Sequence, residues 1–348
     1  MRVKMIFLFV FFTIGSSYTY AGVCYLSGGG FLQDAIKVGD SYVPRDAQLG
    51  SVIGVMRLAY RHVFPQVICE ANSTWETSFT TTPVIGIAMP RGQSHSNGPI
   101  YKTSIPGVGI VIETESFGSA WVKDKNYPFV PYVLSTAGGS RWSGGFGVFI
   151  TLVKIGEIPM GTARFDSSTL LRATSNNYDS RINYSLSGSV TRSECSVPAS
   201  AKSIEVRMGR VTRDSFKGQG SFLGSMDFSI PLTDCNAGKY PAGQGWNYFE
   251  SSNVNLLLEG AKGSRILDAN KGILGLTTSS SSSGVAVQVL LQDGVTPLTL
   301  GVANKIQKVI DGSMLINLKA RYVQTTDNSN GPTPGVANAA ASFTINYR

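Results

Sequence analysis

Short runs of strand-forming residues recur along the whole chain, and they constrain its fold more than any other feature. Valine, isoleucine, threonine and aromatic residues dominate these runs, while 39 Gly and 15 Pro punctuate the stretches between them. Such runs between turn residues predict strands. The predicted strands are "PVIGIAM" (83–89), "GVGIVIETE" (107–115), "FGVFITLVKIG" (146–156), "SIEVRMGRV" (203–211), "SMDFSIPL" (225–232), "NVNLLLEG" (253–260), "VAVQVLLQD" (285–293) and "SMLINLKARYV" (313–323). The sequence therefore predicts an all-β protein built from β-sandwiches.

The first 21 residues have the pattern of a secretory signal peptide. Arg2 and Lys4 precede an apolar run from Met5 to Ile14, and small residues follow it. That run is about half of the roughly 20 residues that a membrane-spanning helix needs, so an uncleaved anchor is the weaker interpretation. We expect a mature protein that begins near Gly22 and is secreted through the periplasm.

The charge pattern argues against a nucleic-acid partner. The formal charge of +8 falls to +6 when Arg2 and Lys4 leave with the signal peptide, and the remaining basic residues are scattered rather than clustered. Nucleic-acid binding usually needs a basic patch or stripe. A basic surface can attract acidic glycans or cell surfaces, but a solubilising net charge is the simpler explanation.

Four cysteines, Cys24, Cys69, Cys195 and Cys235, predict two disulfides in an oxidising compartment. Three connectivities are possible. Local pairing, Cys24 with Cys69 and Cys195 with Cys235, is the simplest and gives each half of the chain one bridge. The chain has no C-x-x-C and only two histidines, so we predict no metal and no cofactor.

The remaining chain of about 325 residues suits two domains better than one. Serine and glycine accumulate just before the third cysteine, and we place the boundary near Thr191. The prediction is a first domain over residues 22–190 and a second over residues 191–348. A serine-rich stretch at 277–284, with a flanking strand on each side, is typical of a mobile surface loop rather than a linker.

The chain ends on a strand pattern, "ANAAASFTINYR", in which small or apolar residues occupy every second position from Ala339. Chain termini usually fray unless something holds them. A well-formed amphipathic strand at the very end therefore predicts a pairing partner.

The second half resembles the bacterial fimbrial subunits that the chaperone-usher route assembles. The resemblance rests on a glycine fourteen residues from the end, on the alternating apolar positions with a penultimate aromatic, and on the cysteine pair that opens this half. These residues are Gly335, Phe343, Ile345, Tyr347, Cys195 and Cys235. The resemblance covers about 155 residues.

The resemblance implies an incomplete immunoglobulin-like pilin domain that lacks one strand of its own. A groove beside the last strand would then accept a strand from a partner by β-augmentation. The implied partners are a periplasmic chaperone, the outer-membrane usher and the next fimbrial subunit, which supplies a donor strand. The implied docking residues are Gly335, Phe343, Ile345, Tyr347 and Arg348. An ordinary terminal strand in a complete sandwich is the alternative.

Fibre-forming subunits of this family carry a donor segment before the first cysteine, whereas here Gly22 and Val23 lead directly to Cys24. The expectation is a subunit that accepts a strand without donating one and sits at the tip of the fimbria. The first half occupies the place where two-domain tip adhesins of this family carry a receptor-binding lectin domain.

One region of the first half is dense in groups that suit a sugar. Such pockets combine carboxylates and amides, which bind hydroxyl groups, with an aromatic ring that packs on the sugar face. The candidate ligand-binding residues are Glu113, Glu115, Ser116, Trp121, Asp124, Asn126, Arg141, Trp142 and Ser143. Core packing for the tryptophans and solvated turns for the acids are the simpler alternatives. Asn72 and Trp75 form a second polar and aromatic cluster.

No enzyme class is supported by the sequence. It lacks a nucleophile elbow on a strand-turn-helix and the Lys and helix of a phosphate loop. It contains only two histidines. The interpretation is a fimbrial tip adhesin at the bacterial surface that binds a host glycan non-covalently. A structural or adaptor subunit and a secreted carbohydrate-active enzyme are the alternatives.

Overall fold

The structure is a computed structural model of the 348-residue chain. It describes residues 22–26, 28–59, 67–70, 72–87, 98–114, 121–122, 129–136, 142–143, 147–175, 178–240, 249, 251–327 and 331–348. The prediction of an all-β fold is confirmed, since strands and two single-turn 3₁₀ helices make up the regular structure of these residues. Among them, no helix is long and apolar enough to cross a membrane.

Fourteen strands precede the third cysteine or contain it. They are β1 (Cys24–Leu26), β2 (Phe31–Pro44), β3 (Val52–Ala59), β4 (Val67–Cys69), β5 (Thr74–Phe79), β6 (Tyr101–Lys102), β7 (Val108–Thr114), β8 (Trp121–Val122), β9 (Tyr132–Thr136), β10 (Trp142–Ser143), β11 (Gly147–Lys154), β12 (Thr162–Arg164), β13 (Leu171–Ser175) and β14 (Tyr178–Ser196). They pack around a first core that runs from Cys24 to Val190 and includes Trp75, Ile112 and Ile150.

The first sandwich is built from three groups of strands. One sheet has the order β1-β4-β10, a second has the order β3-β11-β7-β6, and the third runs β14-β13-β5-β9-β8 with β2 and β12 also on β14. Strand β7 is buried along Val108, Ile110 and Ile112, which explains its near-continuous apolar sequence.

Strand β14 is 19 residues long and connects the two halves of the chain without a break. Along the first half it pairs in parallel with β2, from Arg181 opposite Phe31 to Ser193 opposite Pro44. Its last residues pair with the first strand of the second half, with Glu194 opposite Asn236. The predicted boundary near Thr191 therefore falls inside a continuous strand, and the division into 22–190 and 191–348 stays a prediction.

The second half adds eight strands after the 3₁₀ turns Ala199–Ala201 and Arg213–Ser215. The strands are β15 (Phe222–Asn236), β16 (Asn253–Gly260), β17 (Ile266–Asp268), β18 (Ile273–Leu274), β19 (Val285–Leu291), β20 (Asn304–Lys308), β21 (Gly312–Gln324) and β22 (Ala341–Tyr347). One sheet runs β17-β18-β19-β21-β15 and continues into β14, while the facing sheet has only the order β20-β16-β22. A second core between them includes Leu232, Leu256 and Ile316.

Both disulfides form as local pairing predicts. Cys24 bonds to Cys69, and Cys195 bonds to Cys235. Each bridge lies within one core, since both cysteines of a pair belong to the same buried cluster. The two halves are therefore cross-linked separately.

Two of the predicted strands are wrong. Within 83–89, the described residues 83–87 form only one isolated bridge, at Pro83, because Gly86 has φ 85° and Ile85 is 91% exposed. Residues 203–211 contain no strand residue. Their alternation is real, because Ile204, Val206 and Met208 are half-buried between exposed neighbours. What is missing is a hydrogen-bonded neighbour.

Candidate functional site

The last strand has one buried face and one open edge. In β22, Ile345 and Tyr347 are 7% and 0% exposed, Phe343 is half-buried, and Ser342 and Thr344 face solvent. Among the described residues, the strand pairs only with β16, with Ile345 opposite Leu256 and Tyr347 opposite Val254. The predicted alternation is therefore present from Phe343 onward, while Ala341 is exposed.

The pairing fixes which backbone groups point to the open side. Arg348 and Asn253 exchange both of their N–H to C=O hydrogen bonds, at 2.7 and 3.1 Å. Hydrogen-bonded and non-bonded pairs alternate along an antiparallel ladder, so the odd-numbered residues of β22 direct their N–H and C=O groups away from β16. In the described part of the chain, the backbone N–H and C=O of Phe343 and the N–H of Ile345 have no hydrogen-bond partner.

A second unpaired segment flanks the same apolar surface. Residues 203–211 have no regular secondary structure, and among the described residues they make no backbone hydrogen bond. Ile204 packs against the second core, as Phe343 does, while Val206 and Met208 pack against a neighbouring buried cluster. The segment passes beside β15, where an added Cβ on Gly224 would lie 3.3 Å from Val211. Two chain segments with free backbone groups therefore border one apolar surface.

That surface is formed by the second core and by the adjoining buried cluster of Val285, Val287, Ala320 and Tyr322 on β19 and β21. Phe228 packs against both this cluster and the second core and is only half-buried. Aromatic and aliphatic side chains left partly exposed in a row favour burial by another element.

Gly335 allows the chain to approach the serine-rich loop closely just before the last strand. An added Cβ would lie 2.6 Å from Ser281 Oγ and 2.7 Å from Ser282 N. The N–H groups of Ser281 and Ser282 both donate to Val336 O at 3.0 Å, and Val336 N–H donates to Ser281 Oγ at 2.9 Å. The prediction of a mobile loop at 277–284 is wrong, because these bonds fasten it to residues 333–338.

Tyr347 anchors the end of the strand in the second core. Its phenol O–H donates to Cys195 O at 3.1 Å, next to the disulfide. Burial raises the pKa of the Tyr347 phenol to about 12, although the charge of Arg45 opposes the rise. The neutral phenol is therefore the form that the folded state favours.

A turn of the first half meets the open edge at Tyr347. Arg45 and Asp46 follow β2 directly, and we call these two residues the Arg45–Asp46 corner. Tyr347 N–H donates to Asp46 Oδ2 at 2.7 Å, and Asp46 N–H donates to Tyr347 O at 3.0 Å. Arg45 Nη2 donates to Ile345 O at 2.7 Å, and its guanidinium lies 4.7 Å from the centre of the Tyr347 ring. The end of β22 is thus held by a residue pair about 300 positions earlier in the chain.

Charges around the corner are paired. Arg45 contacts Asp46 at 2.9 Å and Glu194 at 3.7 Å, and Glu194 contacts Arg192 at 2.6 Å. Burial works against the charged form of Arg45, but the bond to Asp46 and the nearby Tyr347 and Glu194 leave its pKa raised. Burial lowers the pKa of Lys154, whose ammonium donates to Arg45 O.

Only four of the nine predicted sugar-binding residues lie among the residues that the structure describes. Glu115, Ser116, Asp124, Asn126 and Arg141 lie outside the described residues. The backbones of the other four belong to three different sheets: Glu113 on β7, Trp121 on β8, and Trp142 and Ser143 on β10. In β10, Trp142 is opposite Cys69 of the first disulfide.

The second polar and aromatic cluster does not form a sugar site with Trp75. Trp75 is 6% exposed and belongs to the first core, so its ring is not available to stack on a ligand. Asn72 is exposed at a turn with φ 58° between β4 and β5.

The sequence did not predict the contacts of the Arg45–Asp46 corner. It also did not predict that residues 203–211 lack a hydrogen-bonded neighbour in the described part of the chain. The signal for 203–211 was present, since it alternates like a strand, but its lack of a partner is a tertiary property. Among the described residues, no group of three or more His, Cys, Asp or Glu side chains could hold a metal ion.

Comparisons with known proteins agree with this geometry. A family model described as fimbrial protein matches residues 184–348. The F17 fimbrial protein of Escherichia coli is 28% identical over 176 residues, which are 49% of this chain and 88% of that protein. The type-1 fimbrial protein subunit of Serratia marcescens is 28% identical over 168 residues, 46% of this chain and 83% of that protein.

One solved structure aligns with nearly the whole length of the chain at low identity and a low TM-score. The crystal structure of the CupB6 tip adhesin from Pseudomonas aeruginosa covers 93% of this chain and 94% of its own, with 14% identity and a TM-score of 0.38. Residues 184–348, the second half of the chain, are therefore similar to fimbrial proteins, as the sequence predicts for that half.

Proposed function

We propose that the chain is a fimbrial tip adhesin, whose second half accepts a donor strand and whose first half binds a glycan receptor. One observation carries the first part of this proposal. Phe343 of β22 and Ile204 of residues 203–211 pack against the same second core, and both segments carry backbone groups that have no partner among the described residues. A strand laid between them would satisfy backbone groups on both sides and cover that core.

The chemistry of the gap defines its occupant. Backbone N–H and C=O groups give affinity for any extended chain, and the apolar positions along the gap require a strand with apolar residues at every second position. The proposed occupants are the periplasmic chaperone during export and then the next fimbrial subunit, delivered at the outer-membrane usher. Gly335, Phe343, Ile345, Tyr347 and Arg348 remain the predicted docking residues, and the structure places the backbone of Arg348 on Asn253.

Strand acceptance is tested by removing residues 343–348. The truncated chain should no longer accumulate in the periplasm when the chaperone of its own fimbrial system is co-expressed, because the edge and its anchor Tyr347 are gone. The full chain without the chaperone is the control for chaperone dependence. Accumulation of the truncated chain at the level of the full chain would contradict strand acceptance.

The receptor part of the proposal rests on the organisation of the first half. Residues 24–190 enclose a core of their own with their own disulfide, and all but the last few residues precede the part that matches the fimbrial family. A separate folded unit joined to a fimbrial domain fits a binding module. The candidate residues are Glu113, Glu115, Ser116, Trp121, Asp124, Asn126, Arg141, Trp142 and Ser143.

A glycan array with the full chain, stabilised by its chaperone, tests the receptor assignment. Binding to one glycan class that falls at least tenfold in Trp142→Ala or Trp121→Ala would support it. Lys319→Ala, on the second half, is the matched control. Silence on glycans with binding to a protein receptor would refute the glycan assignment, and silence on both would favour the structural or adaptor subunit.

A further inference from the structure

We propose that the Arg45–Asp46 corner is an end-stop that limits how far a donor strand can pair along β22. This inference rests on the proposed strand acceptance. It concerns the register of the incoming strand, which that proposal leaves undefined.

The corner already occupies the last outward positions of the open edge. Both backbone groups of Tyr347 bond to Asp46, at 2.7 and 3.0 Å, and Ile345 O accepts from Arg45 Nη2 at 2.7 Å. These are the same groups that an added strand would need. Among the described residues, the outward groups that stay open on β22 toward its start are the N–H of Ile345 and both backbone groups of Phe343 and Ala341.

The corner imitates a strand for one residue pair. Asp46 uses its backbone N–H as a donor and its carboxylate as an acceptor, so it satisfies Tyr347 as a paired residue in an antiparallel ladder would. The charge of the Arg45 guanidinium strengthens its bond to Ile345 O. A donor strand that extended to Tyr347 would have to break three hydrogen bonds and replace them with neutral ones.

The corner is held in place from the first half. Arg45 N–H donates to Ser193 O at 3.1 Å, and the Lys154 ammonium donates to Arg45 O. Ala47 N–H closes the turn on Pro44 O at 3.1 Å, and Ala47 packs against the first core. Displacing the corner therefore disturbs the parallel pairing of β2 with β14, which ends at Pro44 and Ser193.

The first half thereby takes part in strand acceptance. Residues before the fimbrial-family match close one end of a gap formed by residues within it. The donor strand pairs with the edge as far as Ile345 and stops there, so the corner sets both its length and its register.

Amide hydrogen exchange of the full chain tests the end-stop, with a synthetic peptide of roughly ten residues that alternates valine with threonine as the probe. In the full chain refolded without its chaperone, the amides of Tyr347 and Asp46 should exchange slowly, and those of Phe343 and Ile345 quickly. With excess peptide, Phe343 and Ile345 should become protected while Asp46 stays protected. Loss of protection at Asp46 would show that the strand displaces the corner, which would overturn the end-stop but leave strand acceptance intact.

The variant Asp46→Ala gives a second measurement. Removing the carboxylate should speed exchange at Tyr347 by about tenfold, and the peptide should then protect Tyr347 as well. Asp227→Ala, which removes an exposed carboxylate paired with Lys319 on β21, is the matched control and should leave Tyr347 unchanged. If the peptide fails to protect Tyr347 in Asp46→Ala while protecting Phe343, the end-stop is wrong. If it protects Phe343 in neither protein, strand acceptance and the end-stop fail together.

Discussion

Tyr347 is the residue at which both halves of the chain and the second disulfide meet. Its ring is fully buried, its O–H bonds to Cys195 O, and its backbone bonds to Asp46. The sequence predicted an inward aromatic one position from the end. It did not predict the Asp46 contact, because residues about 300 positions apart share no local pattern.

The phenol of Tyr347 predicts a stability loss at alkaline pH. The pKa of Tyr347 is about 12 in the folded chain against about 10 unfolded, so its contribution is complete below pH 10 and is lost as the pH rises through 12. Two pKa units correspond to at most about 2 to 3 kcal/mol. Tyr347→Phe should cost about 1 kcal/mol at pH 7, because Cys195 O loses its donor, and should soften the alkaline decline.

Urea unfolding at several pH values measures both effects. Tyr132 and Tyr240 also have a pKa of about 12 because of burial, so the variant should keep part of the decline. Identical slopes for wild type and variant between pH 10 and 12 would show that the Tyr347 phenol is not responsible.

Gly335 predicts a local packing effect. A Cβ there would press on the backbone of Ser281 and Ser282, so Gly335→Ala should lower the free energy of unfolding by about 1 to 3 kcal/mol. Gly275→Ala is the control, since an added Cβ there meets its nearest atom at an ordinary 3.4 Å. Equal urea midpoints for the two variants would contradict this explanation of the glycine.

At the scale of elements, the two faces of β22 should respond differently to charge. Ile345 is buried and Thr344 is exposed on the same strand. Ile345→Asp places an unpaired carboxylate in the second core and should abolish chaperone-dependent accumulation, whereas Thr344→Asp should reduce it less than twofold. Immunoblots of periplasmic extracts give the comparison. Equal loss in both variants would mean that charge alone, and not burial, is the cause.

Strand existence was readable from the sequence, but strand partners were not. Strands β16, β19 and β21 match their predicted segments closely, because alternation over several residues is a local signal. Residues 203–211 show the same signal and form no strand, because no segment in the described part of the chain pairs with them. Pairing depends on which segments the fold brings together. In the described part of the chain, no strand lies in hydrogen-bonding register beside residues 203–211.

At the scale of the whole molecule, β14 couples the halves. The parallel pairing with β2 continues to Ser193, and Arg192 Nη1 donates to Ile158 O at 2.7 Å in the first half. A fragment of residues 22–190 therefore loses contacts that belong to the first sandwich.

We expect a fragment of residues 22–194 to be more stable than one of residues 22–190 by at least about 2 kcal/mol, because several ladder bonds and the Arg192 contacts are restored. The longer fragment still ends before Cys195, so it adds no unpaired thiol. Urea midpoints of the two fragments test the difference. Equal midpoints would place the functional boundary where the sequence predicts it.

The sequence by itself determined the all-β class, the amphipathic last strand and the resemblance to fimbrial subunits, and it favoured the two local disulfides. These follow from residue type and spacing over short distances, which act in the same way wherever the chain folds. The tertiary structure decided that the last strand has an open edge, that residues 203–211 lack a partner, and that the Arg45–Asp46 corner closes one end of the gap. Each of these depends on which backbone groups remain unpaired after distant segments meet. A local sequence pattern cannot predict which groups these are.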